Sequence, residues 1–371
     1  MTNIFKPEDV IKYAETRLFG SNVGPDDVEK IELHNGPLPS QLERSIIDRA
    51  GGFVRVQQKN GREPIYFSEK TLFIPQYSIF ERGTRYELMI RAYLEATGRN
   101  IETEVIEHGE DKRVTYMQYE NNAYDFVVGL FVPEKKYEDR RIFSSTDMKD
   151  TNKIVIGPLE AVAKQARVIE RGKSEYLDAQ LVDIGGEIVL NIGYVYGGQG
   201  GLIISKMMRE YAALAERQGG RRSLEVFTFG RVGGLKQGML RHDMIIPTGI
   251  IDWVRLREGK RLVHPFHNRL APDSHESTIL NVPSVVDQTV EQLELACANG
   301  CDGVEMEARD LASAIEQAQR RHYDNLTINF GFAGNISDLP LEGDTLADEL
   351  DSDKGEQAAV SRIVETVRRR Q

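Results

Sequence analysis

From Lys153 onward the chain repeats one pattern: a short apolar run, a glycine-rich stretch, then a segment with helical spacing. This alternation restricts the fold more than any other feature, because it calls for a central sheet packed between helices. Residues 154–156 lead into Gly157-Pro158 and an expected helix over 161–170. Residues 188–192 lead into Gly193 and the cluster Gly197, Gly198, Gly200 and Gly201. There follows a helix on which Ile204, Met207, Met208, Tyr211 and Ala215 recur at helical spacing. The Met pair reads as core filler. Residues 224–229 form a third strand ending in the glycine turn Gly230, Gly233 and Gly234. Further strands are expected at 244–247, 278–280, 303–306 and 326–330, with helices at 285–297 and 311–319. In such sheets ligands bind beyond the carboxyl ends of the strands, where these glycines and several acids fall.

The preceding part reads as α+β and carries no chemical motif. A helix is expected over 5–19, and short strands within 51–67 around an Asn60-Gly61 turn. A helix over 88–96 should stop at Gly98, and strands are expected at 101–105 and 126–132. The polar stretch 144–152 is the best linker. At 371 residues the chain is long for one core, so two domains are expected: 1–145, α+β, and 146–371, carrying the chemistry.

Composition narrows the function classes. A hydrophobic share of 40% and a charged share of 28% suit a globular chain. The net charge of −11 offers no basic face for a nucleic acid, and the run Arg368, Arg369, Arg370 reads as a helix end complementing its dipole. Cys297 and Cys301 are the only cysteines. They lack the further ligands of a zinc site and read as buried free thiols in a reducing compartment. No signal-peptide run opens the chain and no stretch nears ~20 apolar residues, so no membrane is expected and a cytoplasmic location is. The glycine stretch G-Y-V-Y-G-G-Q-G-G lacks the G-x-G-x-x-G spacing of a dinucleotide fingerprint. No metal or organic cofactor is implied.

Glycines that admit a ligand to the backbone are a weak sign alone. Two separated acidic segments are sharper: Gly303-Val304-Glu305-Met306-Glu307-Ala308 and Ile336-Ser337-Asp338. With them stand Ile156-Gly157-Pro158, Asn191-Ile192-Gly193, Phe229-Gly230-Arg231-Val232-Gly233-Gly234-Leu235, and the D-M-I-I-P-T-G run from Asp243 to Gly249. In these ordered blocks the chain resembles the purine nucleoside phosphorylase and uridine phosphorylase superfamily over residues 153–344. Ser337-Asp338-Leu339-Pro340-Leu341-Glu342-Gly343 is most similar to the S-D-x-P-L-x-G stretch of the AMP nucleosidases, which also carry an extra N-terminal α+β domain.

The resemblance implies a three-layer α/β domain with a mixed central sheet, and hydrolysis of the N-glycosidic bond of a purine ribonucleotide or ribonucleoside. Glu307 would hydrogen-bond the ribose hydroxyls, its charge facing a developing oxocarbenium ion, with Met306 packed on the sugar. Read without the resemblance, Glu307 is an acid at a helix start. Asp338 would protonate the leaving purine at N7, a partly buried Asp being able to hold a proton near neutral pH. By itself it reads as a turn residue, and Asn335 is the alternative contact to the base. Glu305, Gly157 and Gly198 are further substrate-binding candidates, as are Gly230, Arg231 and Gly233.

Phosphorylases of the superfamily hold phosphate with arginines at places that here carry Glu160 and Thr228. Water is then the expected nucleophile, oriented by Glu160, which is otherwise a surface glutamate. Two other readings stay open. Arg231, Arg167 or a neighbouring subunit's arginine could support phosphorolysis, or the fold could serve as a non-catalytic nucleotide sensor. By the same resemblance the chain would form a homo-oligomer.

Overall fold

The computed structural model describes residues 7–35, 52–57, 65–76, 82–107, 126–127, 129–131, 142–143, 151–172, 177–193, 197–259, 263–272, 276–282, 289–322, 324–343 and 352–368. They fall into two units. One takes in Met1–Glu120, Pro283–Val290 and Thr345–Glu349; the other takes in Asn121–Val282, Glu291–Asp344 and Leu350–Gln371.

The first unit contains α1 (Pro7–Leu18), β1 (Lys30–Asn35), β2 (Val54–Arg55), β3 (Tyr66–Ser68), β4 (Thr71–Gln76), α2 (Arg82–Thr97) and β5 (Glu102–Glu107). Its sheet runs β2-β3-β4-β1-β5, with β1 parallel to both neighbours. Leu18, Ile31, Leu33, Leu72, Ile74 and Tyr93 are buried in one core. α2 stops at Gly98, whose φ of 64° is the left-handed conformation that ends a helix at least cost to glycine. The Asn60-Gly61 turn lies outside the described residues.

The second unit holds β6 (Lys153–Ile156), α3 (Leu159–Ala163), β7 (Arg167–Arg171), β8 (Ala179–Ile184), β9 (Glu187–Ile192) and α4 (Gly197–Arg217). Next come β10 (Arg222–Gly234), β11 (Met244–Ile245), β12 (Gly249–Asp252), α5 (Trp253–Arg257), β13 (Val263–Pro265) and β14 (Thr278–Asn281). α6 (Val290–Ala298), β15 (Gly303–Glu305), α7 (Ala308–Arg321), β16 (Leu326–Asp338) and α8 (Ser352–Arg368) complete it. The sheet order is β13-β12-β14-β15-β10-β6-β9-β8-β7, and β16 pairs with β10 and β11. Parallel pairs (β10 with β16 and β6) and antiparallel pairs (β8 with β7 and β9) make it a mixed sheet.

Side chains alternate across it as the strand period of two requires. Leu224, Val226 and Val232 of β10 join a core with Ile204 and Met207 of α4 and Leu311 and Ile315 of α7. Phe227 and Phe229 join a second core with Ala161 and Val162 of α3 and Val360 and Val364 of α8. Helices thus cover both faces, giving the three-layer α/β arrangement.

Several expected elements differ. The helix over 161–170 ends at Ala163, and Arg167–Arg171 forms an edge strand on β8. Val168 and Ile169 are β-branched, and this pairing outweighs local helical spacing. Phe126, Val127 and residues 129–131 are helical rather than extended, with Phe126, Val127 and Leu130 buried as one face. An apolar run of that length does not reveal its own period. Gly230, Gly233 and Gly234 do not turn the chain; β10 runs on to Gly234 because β16 pairs along its length. The cluster from Gly197 to Gly201 opens α4. There a Cβ on Gly201 would lie 3.3 Å from the Asp310 carbonyl oxygen of α7, so its bare backbone permits close helix packing. The thiols differ too: Cys301 is buried, but Cys297 is exposed on α6. Of the expected linker, residues 144–150 lie outside the described residues, as do Arg369 and Arg370.

Candidate active site

The carboxyl end of β10 is flanked by β15 and β16, and Gly233 is in register with Val304 on one side and Asp338 on the other. Two strand spacings therefore separate Val304 from Asp338, about 10 Å. A Cβ on Gly233 would lie 2.9 Å from Val304 Cγ1 and 3.4 Å from Asp338 Oδ2. The missing side chain is what lets the valine and the carboxylate flank this point so closely.

Asp338 reaches it through an irregularity. Val232 pairs with Ile336, but the next residue, Gly233, pairs with Asp338, so Ser337 is an extra residue in β16. A continuous pleat would send Asp338 to the side of Ile336; the bulge re-aims it. Asp338 is therefore no turn residue. It is 7% exposed at a strand end, and burial pushes its carboxyl up to about 6. Ser337 Oγ, donating to Oδ1 at 2.6 Å, and the charge of Arg241 act against that rise. The result is a carboxyl that exchanges its proton near neutral pH, which is what a general acid needs.

Across Gly233, β15 ends at Glu305 and the chain enters α7. Glu305 is 4% exposed and fully engaged: Oε1 accepts from Asn281 Nδ2 at 3.0 Å. Its Oε2 accepts the backbone N–H of Glu307 at 2.5 Å and of Ala308 at 2.7 Å. Burial first, and the charge of Glu307 second, hold its carboxyl well above the usual carboxylate range, against those hydrogen bonds. Glu305 thus does the capping that the sequence suggests for Glu307. Glu307, in the position preceding α7, makes no capping hydrogen bond with its side chain. Glu307 and Met306 are both half-buried.

The other candidates are placed as follows. Asn335 pairs with Arg231 across the strands, and both side chains meet α8: Asn335 packs on Gly355, and Arg231 Nη2 donates to Glu356 Oε1 at 2.8 Å. Gly230 lies under the Phe332 ring, where a Cβ would come within 3.0 Å. Gly157 donates its N–H to the Ile192 carbonyl and sits against Phe229. Gly198 is in the first turn of α4. Glu160 is exposed in α3 and pairs with Arg171 of the edge strand β7 at 3.0 Å. The sequence reading did not single out Ser337, Asn281 or Arg241. Ser337 stood inside the quoted block, but only the bulge gives it a role; nothing local marks the others. Among the described residues no group of His, Cys, Asp and Glu could hold a metal ion, and no helix is long and apolar enough to cross a membrane.

No protein-family model matches the chain, and a search of curated proteins finds no match. Solved structures do resemble it. One is the 5'-methylthioadenosine/S-adenosyl homocysteine nucleosidase of Campylobacter jejuni, at 9% identity over 59% of this chain and 99% of that one, TM-score 0.41. Uridine phosphorylase of Schistosoma mansoni is similar at 15% identity over 61% and 91%, TM-score 0.44. Futalosine hydrolase of Helicobacter pylori is similar at 13% identity over 59% and 97%, TM-score 0.42.

Proposed function

We propose that the chain hydrolyses the N-glycosidic bond of a purine ribonucleotide or ribonucleoside and releases the free base. The observation that supports this reading is that β16, which brings in Asp338, and β15, which leads on to Glu307, lie on either side of the carboxyl end of β10, with Asp338 and Val304 both in register with Gly233. Asp338, with its proton retained to about pH 6, serves as general acid to the purine N7. Glu307, at the start of α7, faces the sugar and stabilises the positive charge that grows as the bond breaks. Met306 beside it packs on the ribose.

Water is the nucleophile in this reading. Of the arginines in this chain that the sequence offered to a phosphate, both have a carboxylate partner already: Arg231 with Glu356, and Arg167 with Asp183 at 2.6 Å. A phosphate dianion would have to displace them. Glu160 orients the water after leaving Arg171. That exposed ion pair is worth only about 0–1 kcal/mol, so the exchange costs little.

The test is incubation with a panel of nucleosides and nucleotides, with and without phosphate, followed by chromatography of bases and sugars. Free base together with ribose or ribose 5-phosphate in phosphate-free buffer is the expected result. A ribose 1-phosphate product would replace hydrolysis with phosphorolysis, and tight binding without base release would mark a nucleotide sensor.

A further inference from the structure

Three parallel strands of the second unit end on one row of polar residues: Asp252 of β12 is in register with Asn281 of β14, and Asn281 with Glu305 of β15. Such a row at buried strand ends is costly unless each member has partners. Asp252 and Glu305 are each 4% exposed. Their partners converge on the start of α7. Glu305 takes the N–H groups of Glu307 and Ala308, and Asp252 forms an ion pair with Arg309, the next residue along. Asn281, between them, donates to Glu305 Oε1 and fixes the rotation of that carboxyl group.

We propose that Glu305, steadied by Asn281 and seconded by the Asp252–Arg309 pair, is the positioning residue that sets where Glu307 points. It touches backbone and not substrate. Its carboxylate oxygens are acceptors for three N–H donors, which leaves the sugar to Glu307 alone. The inference rests on the reading of Glu307 as the sugar-facing carboxylate. It adds that the first acid of the V-E-M-E-A block acts through geometry while the second acts through charge.

That distinction is what the experiment reads. Glu305→Gln retains an oxygen acceptor for the two amides, and the Asn281 amide can rotate to offer its own oxygen to the new N–H. Glu305→Leu removes every acceptor. Hydrogen exchange of the peptide covering the start of α7 should stay slow in the Gln variant and become fast in the Leu variant. Base release should follow: kcat near the wild-type value in Glu305→Gln, and a fall approaching ~10²-fold in Glu305→Leu, the scale of a 1 Å misplacement of a reacting group. Because Glu305→Leu can fail to fold, Asn281→Ala provides a milder loosening, with intermediate exchange and an intermediate fall in kcat. A Gln variant as damaged as the Leu variant, with exchange still slow, would overturn the proposal, since charge and not geometry would then be at work. Wild-type exchange and wild-type kcat in the Leu variant would overturn it too. If the wild-type protein releases no base from any substrate, the nucleosidase reading fails, while the exchange measurements still decide whether Glu305 anchors α7.

Discussion

At the scale of single residues, the two proposed acids should respond differently to loss of charge. Asp338→Asn leaves the shape of the bulge but removes the proton donor, and should slow purine release by about 10²–10⁴-fold. A substrate whose base leaves readily without protonation should be much less affected, and comparing the two substrates in one assay checks the role. Glu307→Gln should lower turnover by roughly a hundredfold or more while circular dichroism shows the fold intact, because a preorganised charge is lost and no packing. Near-wild-type turnover would remove Glu307 from the site. Both candidates come from the sequence, because an acid in an ordered block is a chemical statement. What the sequence does not give is the structural setting of each acid. Glu305 and Glu307 look alike in the sequence, and only a strand ending at the first and a helix opening after the second separates them. Asp338 looked like a turn residue, because a bulge depends on pairing with β10 and leaves no local mark.

At the scale of elements, α8 is fastened to the sheet by a close approach. A Cβ on Gly355 would overlap the Asn335 side chain, which is 2% exposed. Gly355→Ala should therefore destabilise the protein by about 1–3 kcal/mol, the usual cost of overpacking, read as a shift of the denaturant midpoint at unchanged slope. Asn335 Oδ1 has no hydrogen-bond partner among the described residues, so Asn335 is already a poorly satisfied neighbour for a new methyl group. The sequence did signal most strands here, but it placed a turn at Gly230 where the strand continues. Glycine is ambiguous in that way: it serves a turn through its backbone freedom and a strand through the room it leaves, here for the Phe332 ring and the Asp338 carboxylate.

At the scale of the whole molecule, pH should act on stability through the two raised carboxyls. Folding lifts Asp338 from an ordinary 3.8 to about 6, and lifts Glu305 as well. Between those values the folded chain binds more protons than the unfolded one. Their contribution is thus complete below about pH 4 and is lost as pH rises through about 6 for Asp338 and about 7 for Glu305. Asp338→Asn should flatten this part of the profile, which unfolding scans at pH 4, 5, 6 and 7 would show. The three-layer plan was legible because repeated strand and helix periods survive any error at their ends. The boundaries were not, since they depend on partners distant in the chain. The longest pairing makes the point in another way. β10 and β16 match from Arg222 opposite Leu326 to Gly233 opposite Asp338, so their union closes a loop of roughly a hundred residues. Contacts between such distant stretches form slowly. The chain exposes β10 before β16, so the proposed site, which needs Asp338 of β16, is complete only after that pairing has formed, and a truncated or ribosome-bound chain lacking β16 should release no base.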